Sequence, residues 1–129
     1  MFDNFAEGTA EGMFTGTFSS CSKLQNIPKG LFKNIKGAPK NHMFNQTFLQ
    51  SGISGELDPD LFAGIIGEPA QQMFFGTLAY TKLSGEIPKD LFSGISGKPA
   101  KGMFEHLFEG NTNMSGFVPP ELFAKIDNT

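Results

Sequence analysis

The stretch Pro69-Ala70-Gln71-Gln72-Met73-Phe74-Phe75-Gly76-Thr77-Leu78 decides how this chain is read. Ala70, Met73, Phe74, Thr77 and Leu78 recur at i, i+3, i+4, i+7 and i+8, the spacing of one buried helix face. Pro69 stands in front, where a helix tolerates a residue without an N–H. The spacing predicts a helix that begins at Pro69. Upstream, Leu61, Phe62 and Ile65 lie at i, i+1 and i+4 between Pro59 and Gly67, which predicts a short helical turn. Downstream, Leu83-Ser84-Gly85-Glu86-Ile87 alternates apolar with small or polar residues, the pattern of a short strand.

This unit is repeated. Shifted against itself by 30 residues, the chain aligns Met13, Met43, Met73 and Met103 in one column and Phe14, Phe44, Phe74 and Phe104 in the next. Phe2, Phe32, Phe62, Phe92 and Phe123 form another, the last after one extra residue. The units are 1–30, 31–60, 61–90 and 91–121, with a partial unit at 122–129, expected to form a single domain cut from a longer array. Repetition accounts for a composition of 15 Phe and 16 Gly with no Trp, because Phe75 and Phe117 alone among the phenylalanines leave the template columns. One unit cannot bury this much Phe and Met, so the units must stack. The expected fold is an α/β repeat solenoid. Each unit supplies a short helical turn, a helix and a short strand, with a parallel strand ladder on the concave side. Strands stack at about 4.8 Å and helices at about 8–10 Å, so the stack should curve, in a right-handed sense.

Leu83-Ser84-Gly85-Glu86-Ile87-Pro88 is similar to the LxGxIP segment of plant-type leucine-rich repeats, with looser versions at Leu24-Gln25-Asn26-Ile27-Pro28 and Ile53-Ser54-Gly55-Glu56-Leu57. Met-Phe-x-x-Thr-Phe, at Met13–Phe18 and Met43–Phe48, resembles bacterial surface leucine-rich repeats of the BspA-like type. The resemblance implies a non-enzymatic protein-binding or adhesion module of a cell-surface or secreted protein, extracellular or on a bacterial surface. The unit is longer than the family's usual repeat, and its asparagine ladder is missing. The competing expectation is a structural spacer or self-assembling fibre without a specific ligand.

Charge and composition narrow the partners. The formal net charge is −3, and every one of the 10 Lys+Arg residues is Lys, an arrangement unsuited to nucleic acid. No apolar run approaches a membrane span, and Asp3, Glu7 and Glu11 interrupt any signal-peptide core. Neither catalysis nor a cofactor is expected. His42 and His106 occupy different template positions, so a metal pair is not predicted. Asp58 and Asp60 read as caps of a turn, and Cys21 as a small, partly buried thiol without a neighbouring base. Asn45-Gln46-Thr47 and Asn113-Met114-Ser115 match the glycosylation sequon only weakly in context.

Partner binding to a protein or cell-surface ligand is expected on one of two faces. The strand face offers Ser54, Glu56, Ser84, Glu86 and Phe117, suited to a polar or basic partner. The helix face offers the off-template Phe75 and Leu49, with Tyr80 nearby. Self-association through uncapped ends is a further expectation, since no distinct polar cap closes the array.

Overall fold

The computed structural model describes residues 8–127. No helix occurs among them. The regular strands are β1 (Ser54–Gly55) and β2 (Lys82–Leu83), paired parallel with Ser54 opposite Lys82 and Gly55 opposite Leu83. Isolated parallel bridges join Gly37 to Ile65, Gly67 to Ile95, Gly85 to Met114 and Gly97 to Ile126. The rest is turns, bends and irregular connecting backbone.

Where helices were expected, the chain instead lays down four flat rows of turns, at 12–20, 42–50, 72–80 and 102–110. Two sets of backbone bonds alternate along each of the first three rows, and the fourth row shows the within-row set. Odd residues bond within the row, as Thr47 N–H donates to the Phe44 carbonyl at 3.2 Å and Leu49 N–H to Gln46 at 3.3 Å. Even residues bond to the next row, as His42, Phe44, Gln46, Phe48 and Gln50 donate to the carbonyls of Gln71, Met73, Phe75, Thr77 and Ala79 at 2.7–3.0 Å. The first row bonds to the second, and the third to the fourth, in the same way. A helix points its N–H groups along its own axis and cannot make such bonds sideways.

The local cause is a left-handed residue at every fourth position. In the second row these are His42 (φ 60°), Gln46 (54°) and Gln50 (57°); in the third, Gln72 (51°), Gly76 (56°) and Tyr80 (55°). Each reverses the chain before a second helical bond can form. Glycine takes this region freely, and other residues at a cost of roughly 1–2 kcal/mol each. Gly12, Gly16, Gly76, Gly102 and Gly110 fill several of these slots.

The rows bring successive Phe rings into contact. Phe14–Phe44, Phe44–Phe74 and Phe74–Phe104 stack at 5.3, 5.3 and 5.8 Å between centroids. Phe32–Phe62, Phe62–Phe92 and Phe92–Phe123 stack at 6.1, 5.8 and 6.2 Å. The two columns interlock edge to face, as at Phe44–Phe62 (5.0 Å) and Phe62–Phe74 (4.8 Å). These spacings fit backbones bonded directly side by side and leave no room for helices at about 8–10 Å. One core cluster results, including Ile35, Met43, Ile53, Met73 and Leu83. Two buried threonines tie the rows through their side chains, Thr47 Oγ1 donating to Phe14 O at 2.9 Å and Thr77 Oγ1 to Phe44 O at 2.7 Å.

The expected α/β solenoid is therefore corrected. There is no helical layer among the described residues, and the strand ladder is reduced to one two-residue pair and isolated bridges. Curvature argued from unequal strand and helix spacings loses its basis, because the expected helices are absent. So does the classification as a leucine-rich-repeat solenoid, and with it the grounds for classing the chain as a bacterial protein-binding, cell-adhesion, cell-surface or secreted repeat protein. Met43 and Met73 are fully buried, whereas Met103, in the outermost row, is only partly so.

Candidate functional site

The rows position the three side chains expected on the helix face. Leu49, Phe75 and Tyr80 come together, lining one shallow groove with Gln46, Gln50 and His106. Leu49 and Phe75 are half-buried rather than fully exposed, and Phe75 meets the His106 ring edge-on at 5.3 Å. Tyr80 is exposed, and its left-handed backbone lays the ring across Gly110 in the next row, where a Cβ would collide with it. Its hydroxyl donates to Glu109 Oε1 at 2.8 Å. That bond and the negative charge of Glu109, with slight desolvation, raise the Tyr80 phenol above its ordinary value of 10.0. His106 Nδ1 lies 2.6 Å from the other Glu109 oxygen, and Nε2 lies 3.5 Å from Glu105. The groove is thus apolar at its base with a hydrogen-bonded polar rim.

The strand face divides. Ser54 and Glu56 are exposed and line a groove with Lys29, Asp58, Leu57 and Leu83. Glu86 and Phe117 line a separate one with Ile87, Pro88, Pro119 and Pro120, and Phe117 is 89% exposed. Ser84 is half-buried and spends its N–H on the Gly55 carbonyl at 2.9 Å.

Other singled-out residues have local roles. Asp58 accepts from the Asp60 N–H at 3.0 Å and from the Gly30 N–H at 3.4 Å, so it caps a turn and braces the unit before it. Cys21 is exposed, not partly buried. His42 sits beside Asn45, with 3.3 Å between Nδ1 and Nδ2, two rows away from His106. Among the described residues no three His, Cys, Asp or Glu side chains are grouped to hold a metal ion. No helix there is long and apolar enough to cross a membrane.

Sequence reasoning missed the left-handed slots and the Tyr80–Glu109–His106 cluster they create. The available signal was glycine at four-residue intervals, Gly12 with Gly16 above all. Compared with known proteins, the chain matches no family model, no curated protein and no solved structure.

Proposed function

We propose that the chain is a non-enzymatic structural module, a stiff spacer whose rows supply reach and stacking. The observation that carries this reading is the continuity of the row-to-row bonding. Each of the first three rows donates five backbone bonds to its successor at 2.7–3.1 Å, shorter than most bonds within the rows. The Phe columns run through the same layers. A chain bonded this way resists bending at any one unit. Cys21 is the chain's one cysteine and is exposed, so a spin label there can be paired with another at Lys125→Cys, also exposed. A single narrow distance between the labels is expected; a broad distribution would sink the spacer reading.

The second reading is docking of a protein partner, favoured by the convergence of Leu49, Phe75 and Tyr80 in one groove. It predicts that Leu49→Gln with Tyr80→Ser abolishes binding to a partner found by crosslinking at this groove, while circular dichroism stays unchanged.

A further inference from the structure

The outward side of the rows changes character from one row to the next. One template column reads Asn45, Phe75 and Glu105, and another Leu49, Ala79 and Glu109. Each column is apolar in an inner row and carries a carboxylate in the fourth. The His106 ring joins the two carboxylates, with Nδ1 2.6 Å from Glu109 and Nε2 3.5 Å from Glu105. Both glutamate side chains remain about half exposed, at 54% for Glu105 and 44% for Glu109. No lysine lines the groove beside them, and none among the described residues pairs with either carboxylate.

Aromatic surface adjoins this charge. Phe75 meets His106 edge-on, and Tyr80 rests on Gly110 while staying 50% exposed. One Glu109 oxygen holds the Tyr80 hydroxyl, so ring and carboxylate keep a fixed relation. An aromatic face beside a carboxylate is complementary to a guanidinium, which stacks on the ring and donates to the oxygens. A carboxylate oxygen accepts more than one hydrogen bond, so Glu109 can keep Tyr80 and still receive this donor. Leu49 and Phe75 offer apolar surface to the methylene stem behind such a head group. The groove is shallow and holds about 250 Å³, less than the roughly 300–1,000 Å³ of sites that enclose a small molecule. It fits a single side chain held out by a larger partner.

We propose that this groove docks an arginine side chain presented by an exposed segment of another protein. The guanidinium sits over the Tyr80 ring and donates to Glu109, while Glu105 adds its charge from the other nitrogen of His106. The arginine stem lies along Phe75 and Leu49. A second copy of the chain is not the donor, because all 10 of its Lys+Arg residues are Lys and it has no guanidinium to offer. Lysine is the poorer ligand here, since its ammonium is a compact, strongly hydrated charge that does not stack on a ring as a planar guanidinium does. This inference rests on the docking reading above and names that partner's chemistry.

The test titrates the full 129-residue chain with a capped peptide, glycine-leucine-arginine-leucine-glycine, from micromolar to millimolar concentration. Tyr80 is the single tyrosine, there is no Trp, and the peptide carries no tyrosine, so tyrosine emission reports on the groove alone. A saturable change is expected. The same peptide with citrulline, which keeps the shape of arginine without its charge, should bind about tenfold more weakly, the difference between a charged and a neutral hydrogen-bonded pair. Glu105→Gln with Glu109→Gln should remove the preference for arginine, with circular dichroism unchanged. Asp90→Asn with Glu121→Gln removes two exposed charges elsewhere and should leave it intact. No saturable change with the arginine peptide overturns the proposal. So does an equal loss from the Asp90 and Glu121 variant, which would show attraction to net charge only. Equal affinity for the citrulline peptide also overturns it, yet leaves the groove as a docking site. The docking reading itself falls only if Leu49→Gln with Tyr80→Ser leaves the crosslinked partner bound.

Discussion

The rings of Phe44 and Phe74 lie 5.3 Å apart with their planes 3° from parallel, while Phe44 N–H donates to the carbonyl of Met73, the residue before Phe74, at 2.8 Å. Ring stacking and backbone bonding thus share one spacing, and neither can relax without straining the other. Phe74→Ala should therefore cost about 3–5 kcal/mol, the range for a large buried aromatic, read by urea unfolding. Phe123→Ala, at a ring 38% exposed, should cost clearly less.

Thr77 is fully buried with its hydroxyl on the Phe44 carbonyl, whereas Thr17 occupies the same column and is exposed. Thr77→Val should lose about 1 kcal/mol, a typical net hydrogen bond, and Thr17→Val close to nothing. Equal losses in chemical denaturation would mean that the hydroxyl bond contributes little and β-branching dominates.

The left-handed slots make an unusual prediction for glycine. Gln50 is exposed with φ 57°, so Gln50→Gly should stabilise the chain by up to about 1 kcal/mol as backbone strain is released, despite the entropy glycine loses on folding. Gly110→Ala should destabilise, because its φ of 74° and the Tyr80 ring both reject a Cβ. Opposite shifts in midpoint temperature are the expected result.

Tyr80 is the single tyrosine and there is no Trp, so its ionisation is read directly from ultraviolet absorbance. The neutral phenol donates to Glu109, and its folded value lies above the unfolded 10.0. The bond's contribution is therefore complete below pH 10.0 and disappears as pH rises through the folded value. Glu109→Gln should move the titration back toward the ordinary value, with little change in stability because the site is exposed. An unmoved titration would show that Glu109 does not hold the phenol.

The period, the columns and the buried set Met73, Phe74, Thr77 and Leu78 were legible in the sequence, because inward positions in a stack must be apolar or small in every unit. The helix was not there to be read. Four-residue turns place the pairs 73/74 and 77/78 inward, and a helix's 3.6-residue period departs from that by only roughly 50° between Met73 and Leu78. A short apolar pattern cannot separate the two. What separates them is the backbone demand at 72, 76 and 80, and Gln72 and Tyr80 hide it by occupying slots where glycine would have announced it. The groove of Leu49, Phe75 and Tyr80 was legible as an off-template patch; its Glu109 and His106 rim was not, since it depends on contacts between rows.

Alternate bonding also gives every row a parity. Even residues reach across and odd residues reach back, so one residue inserted inside 72–80 would exchange the two roles for everything after it in that row. The chain's own irregularity respects this rule. The 29-residue step is intact at Tyr80 and Glu109, and the longer step first shows where Ser115 bonds to Gly85, against Ser84 to Gly55 one unit earlier. The extra residue of the fourth unit thus falls between Glu109 and Ser115, past the last bonded position. Length variation in such a chain is confined to the connectors, and its rows can change only by whole four-residue turns.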